Sequence, residues 1–119
     1  MINIFCSARY KLNKKKIKEH AQTVLERYPE TTGAVLNIAF IGKRKMKEIA
    51  TQYKDEPVAL PVLSFAYKKE DGGEEMDNLI GEVVLCYPQA VLLAAEREKK
   101  VDEMFNQLIE HGIQNIFMK

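Results

Sequence analysis

Cysteine and histidine are both scarce in this chain, and no apolar run is long. Cys6 and Cys86 lie far apart and neither has a C-x-x-C partner, which argues against a zinc ribbon or a disulfide framework. Both are expected to be reduced and buried. Two histidines, His20 and His111, leave few imidazoles for any metal site. A membrane-spanning helix needs about 20 consecutive apolar residues. The opening MINIFCSARYKLNKKK has only a brief apolar stretch before its charges, which fits neither such a span nor a secretory leader. A cytoplasmic protein is expected. No internal repeat or low-complexity segment is visible.

The chain does have enough apolar material to bury a core. Its 119 residues are 46% hydrophobic, and residues 1–119 are expected to form one domain. The net charge of +1 hides an asymmetry. Residues 1–54 carry 12 Lys and Arg against 4 Asp and Glu, whereas residues 55–119 carry 6 against 13. A basic half suits a phosphate-bearing partner, because Lys and Arg release the counterions condensed on nucleic acid. The alternative is a solvated surface whose two halves attract each other.

Periodicity gives the order β-α-β-α-β-β-α-α. Met1 to Ser7 alternates like an edge strand, with Ile2, Ile4 and Cys6 on one side and Phe5 on the other. Asn13 is suited to cap a helix from Lys14 to about Tyr28, along which Ile17, Ala21, Val24, Leu25 and Tyr28 recur, with Pro29 and Gly33 ending it. The apolar run AVLNIAFI, between Gly33 and Gly42, reads as a central strand buried on both faces. A second basic helix follows over Lys43 to Tyr53, its apolar face made by Met46, Ile49, Ala50 and Tyr53. PVLSFAY and LIGEVVLC read as strands in a hairpin-like pair, joined by the polar loop KKEDGGEEMDN. Val91, Leu92 and Ala95 mark a third helix. Val101, Met104, Phe105, Leu108, Gly112 and Ile116 mark a fourth, with the junction near Glu98 to Lys100. The order implies an α+β fold with a four-stranded, mostly mixed sheet and helices packed on it.

Four segments, in order and at matched spacing, carry a family likeness. LNIAFIG at 36–42, Tyr53 with Val62-Leu63-Ser64-Phe65, IGEVVLC at 80–86 and LIEHG at 108–112 resemble the YbeY family. That family has L-N-x-x-F-x-G, Y-R, T-D-V-L-S-F and L-G-D-I-V-I-C segments and the start of a metal motif, L-V-V-H-G. The likeness covers residues 34–118. It implies a zincin-like α+β fold and an rRNA maturation endoribonuclease of the bacterial translation apparatus, which acts in 3′-end processing of small-subunit RNA. It also implies zinc held by H-G-x-x-H-x-x-x-x-x-H.

The departures fall on the polar positions. His111 matches the first ligand, Asn115 stands in the second place, and the third place falls ten residues after His111, beyond Lys119. Gln107 and Asn115, the i−4 and i+4 neighbours of His111, are neutral amides and poor ligands for divalent transition metals. Glu110 points about 100° away around the helix. His111 is therefore expected to be a partly buried, inherited residue, with zinc absent or weakly held. The arginine after the family's tyrosine becomes Lys54, which keeps a charge but loses bidentate phosphate geometry. Leu60-Pro61 replaces T-D, and Ser64 reads as structural.

Three functions follow. The first is binding of rRNA or the small ribosomal subunit through Lys14, Lys15, Lys16, Lys18, Lys43, Arg44, Lys45 and Lys47, with Lys54 at the old active-site mouth and metal-dependent cleavage lost or reduced. The second is an active single-strand endoribonuclease in rRNA 3′-end processing, its metal site completed by water, a second protomer or a partner, in which the cation activates water and Lys54 is the catalytic residue giving electrostatic help. The third is a protein-interaction module that uses the acidic loop Glu70 to Asp77 or the C-terminal helix, which implies a basic partner.

Overall fold

The computed structural model describes residues 1–28, 33–67 and 78–118. The elements are β1 (Ile2–Cys6), α1 (Lys14–Leu25), β2 (Val35–Ile41), α2 (Lys43–Lys54), β3 (Val62–Ala66), β4 (Leu79–Cys86), α3 (Tyr87–Glu96) and α4 (Val101–Phe117). The order and class match the sequence reading. Pro29 and the acidic loop Glu70 to Asp77 lie outside the described residues.

The sheet runs β1-β2-β4-β3. β1, β2 and β4 are parallel, with Phe40 opposite Cys6 and Leu85, and β3 closes the far edge antiparallel to β4, with Ser64 opposite Val83. One face carries the larger core. There Ile2, Leu36, Ile38, Phe40, Val83 and Leu85 meet Ile17, Ala21, Val24 and Leu25 of α1, and residues of α3 and α4. On the opposite face α2 lays Met46 and Ala50 over Leu63, Val84 and Cys86. The period of two along β4 separates Val83 and Leu85 from Val84 and Cys86 and so feeds both cores.

Local chemistry explains the helix limits. The Asn13 side chain accepts from the Lys16 backbone N–H at 3.1 Å, capping α1 as expected. α1 stops at Leu25, short of Tyr28. Tyr28 stacks on Phe117 at 4.3 Å instead. α2 begins after Gly42 without a side-chain cap and ends where Asp55 turns left-handed at φ 56°. Between α3 and α4, Glu98 takes φ 53°, and the Lys100 backbone N–H donates to Glu103 Oε1 at 3.0 Å to open α4.

Four expectations need correction. β2 is not buried on both faces: Leu36, Ile38 and Phe40 are sealed, while Val35, Asn37, Ala39 and Ile41 are half-buried under the thinner cover on the α2 side. α3 buries Ala90 and Ala94, leaving Leu92 and Ala95 exposed, because the small residues let the helix lie close to its neighbours. Tyr53 is exposed and covers Phe65 edge-on at 5.1 Å. Cys86 is buried, but Cys6 is only half-buried; both thiols are free. Burial pushes both thiols above their usual range, partly offset at Cys6 by Lys14 and at Cys86 by a Gln89 backbone hydrogen bond and Lys43.

Candidate functional site

Two glycines lay α4 close on the sheet. A Cβ on Gly112 would stand 2.7 Å from Val83 Cγ1 and 3.1 Å from Ser64 Oγ, and one on Gly81 would stand 2.9 Å from Ile116 Cδ1 of α4. Only hydrogen at these positions permits the approach. Ser64 Oγ then donates to the Gly112 carbonyl at 2.9 Å, pinning the helix to β3. The serine hydroxyl is a structural fastener, in agreement with its reading from the sequence.

The fastening places His111 at the rim of a cleft of about 460 Å³ lined in part by Lys54, Ser64, His111 and Asn115. Lys54, at the end of α2, and His111, on α4, come from elements on opposite faces of the sheet and both line this cleft beside β3. His111 is exposed rather than partly buried as expected, because Gly112 and Ile113 take the inward places on that turn. Glu110 points elsewhere and pairs with Arg27 at 2.9 Å. His20 is held apart, with Nε2 3.2 Å from the Asn106 carbonyl oxygen.

The donor set is a poor match for zinc. A catalytic zinc takes three protein ligands drawn from imidazole, thiolate and carboxylate. Among the described residues, no three of His, Cys, Asp and Glu come together. The cleft offers one imidazole, one neutral amide and one ammonium, and the ammonium would repel a cation. These residues do not fit the three-histidine centre that the likeness implies.

The basic residues divide among several surfaces. Lys43, Arg44 and Lys45 meet Arg9 and Tyr10 around a crevice of about 600 Å³ beyond the ends of β1 and β2. Lys18 borders a separate hollow with Glu19. Lys14, Lys15 and Lys16 are exposed on the first turn of α1, and Lys47 is exposed on α2. The sequence reading overlooked Arg9 and Tyr10. Their position just after a parallel strand was the available signal, since ligands of such sheets gather at strand carboxyl ends.

The sequence profile of the family described as Endoribonuclease YbeY matches residues 3–116. The chain belongs to the YbeY family. Endoribonuclease YbeY of Azoarcus sp. is 31% identical over 102 residues, 84% of this chain and 38% of that protein. The Janthinobacterium sp. protein of the same name is 30% identical over 67% of this chain and 51% of that one. The chain thus spans 38% and 51% of the length of these two relatives. The solution structure of TM1509 from Thermotoga maritima superposes with a TM-score of 0.66 at 21% identity, over 98% of this chain and 71% of that one. This is a likeness of fold. No helix among the described residues is long and apolar enough to cross a membrane.

Proposed function

We propose that this YbeY-family chain binds rRNA or the small ribosomal subunit during rRNA maturation in the bacterial cytoplasm, with metal-dependent cleavage lost or reduced. The observation that carries this reading is the composition of the family cleft: Lys54 and His111 flank it, Asn115 stands in the second ligand place, and no carboxylate joins them among the lining residues. Such a cleft suits a phosphodiester anion better than a divalent cation. The exposed lysines and arginine of α1 and α2 add charge of the same sign on other surfaces, where Lys14, Lys15, Lys16, Lys18, Lys43, Arg44, Lys45 and Lys47 neutralise phosphates. Lys54 acts electrostatically at the cleft mouth.

The test is the affinity for a single-stranded oligoribonucleotide as a function of salt. Each neutralised phosphate contributes about −0.7 to the slope of log affinity against log salt for a single strand, so four or more contacts give a slope of roughly −3 or steeper. A flat dependence, or no binding at low salt, removes the reading.

One observation favours the alternative of an active metal-dependent endoribonuclease. His111 is exposed in the cleft, so its imidazole is accessible to a metal ion whose other ligands come from elsewhere. In that reading, water or a second chain completes the site, and stoichiometric metal accompanies metal-stimulated RNA cleavage.

A further inference from the structure

The three parallel strands end at one edge of the sheet, and each hands the chain to a helix there. After β1 the chain enters α1 on the face of the larger core; after β2 it enters α2 on the opposite face. β1 and β2 are hydrogen-bonded neighbours, so the connections leave adjacent strand ends in opposite directions. That divergence leaves a crevice lined in part by Phe40 and Ile41 of β2. In open parallel sheets such a switch point is where ligands bind.

Its walls here are basic. Arg9 comes from the segment after β1; Lys43, Arg44 and Lys45 come from the start of α2; Glu48 is the one carboxylate among the lining residues. Among the described residues, none of these four cations is held in an ion pair. Three cations in the first turn of α2 oppose the helix dipole, a cost that an anion in the crevice would offset.

The crevice is also pre-formed. The Tyr10 ring stacks on Tyr87 at 4.3 Å and 14°, and Tyr87 packs against the buried Phe105 at 5.4 Å. The Tyr87 hydroxyl donates to the Lys11 carbonyl at 3.1 Å. A turn closed by the Tyr10 N–H on the Ser7 carbonyl at 3.1 Å, with the Arg9 N–H on Ser7 Oγ at 3.2 Å, fixes the backbone that carries Arg9. At the other wall, a Cβ on Gly42 would lie 3.0 Å from the Tyr10 hydroxyl oxygen, so the glycine lets the tyrosine close over the start of α2. Ordering this loop in advance removes part of the entropic cost of binding.

We propose that the crevice between the ends of β1 and β2 is a phosphate-binding site for single-stranded RNA, lined by Arg9, Tyr10, Lys43, Arg44 and Lys45 and separate from the cleft of Lys54 and His111. This rests on the RNA-binding reading and deepens it by naming where the backbone is gripped. The scattered α1 lysines then contribute long-range attraction, and the crevice supplies direct contacts.

Two measurements on the full chain test it. The first compares RNA affinity of the double variant Arg9→Glu/Arg44→Glu with that of Arg97→Glu/Lys99→Glu, an equal charge change on exposed residues at the α3–α4 turn. The crevice variant is expected to lose at least about tenfold in affinity, and the control less than about threefold. Equal losses, with the unaltered chain still binding RNA in a salt-dependent way, would mean that net charge alone acts, and would overturn the crevice while leaving the RNA reading intact. Absence of RNA binding by the unaltered chain would remove both. The second titrates inorganic phosphate and follows backbone amide shifts. Those of residues 7–10 and 42–45 are expected to move first and to saturate, and unchanged shifts there would overturn the site.

Discussion

Gly112→Val is expected to lower the unfolding free energy by about 3 kcal/mol and the melting temperature by about 10 °C. The glycine sits where α4 crosses β4, and even the first added carbon would stand 2.7 Å from Val83 Cγ1 and 3.1 Å from Ser64 Oγ. Val83 is fully buried and Ser64 is tied to the same turn, so neither neighbour has space to withdraw. Alanine here would recover up to about 1 kcal/mol of helix propensity against the overpacking. Valine gains less propensity and adds two further methyl groups, so crowding wins. A thermal or denaturant melt checks it, and an unchanged midpoint would mean that α4 does not lie as close to the sheet as described. The same argument gives the H-G pair a structural meaning, since the glycine sets the helix height at which the histidine reaches the cleft.

A larger loss is expected at Phe105. Its side chain is 1% exposed, meets Phe40 edge-on at 5.1 Å and leans on Tyr87 at 5.4 Å. Phe105→Ala removes a ring from the centre of the larger core and leaves a cavity that Met104, Ile109 and the β2 side chains can only partly fill. The expected cost is about 3–5 kcal/mol, a large share of the roughly 5–15 kcal/mol that holds a domain folded. Denaturant unfolding measures it, and a loss below about 1 kcal/mol would contradict the central position of this ring. The Tyr87 and Tyr10 rings stacked beyond it should loosen too, which links this core position to the loop that carries Arg9.

The parts of the fold that were legible from sequence were those in which one signal had one physical cause. Asn13 followed by Ile17, Ala21, Val24 and Leu25 specified both the cap and the buried stripe of α1. The alternation of Ile2, Ile4 and Cys6 with Phe5 specified the edge strand. Legibility failed where composition was uniform. AVLNIAFI is nearly all apolar, so its pattern could not distinguish a sealed face from a half-covered one. The stretch from Pro88 to Ala95 is apolar almost all round, and its buried side was chosen by the close approach that Ala90 and Ala94 permit. Lys54, His111 and Asn115 are picked out by motif spacing, which names positions but carries no exposure, so His111 reads as more buried than it is. Arg9 and Tyr10 were missed because their crevice depends on strand order and on the opposite departures of α1 and α2, neither of which is written in any local pattern.

Zinc affinity tests most directly the proposal that the cleft of Lys54, His111 and Asn115 suits an anion rather than a divalent cation. In a competition titration against a chromophoric chelator, the unaltered chain should hold no stoichiometric zinc through His111. Asn115→His restores two imidazoles four residues apart on one helix face and should bind at least about tenfold more tightly, a gain of about 1.4 kcal/mol. If the unaltered chain already binds one zinc as tightly as that variant, and His111→Ala abolishes it, the claim is wrong and the catalytic reading takes its place.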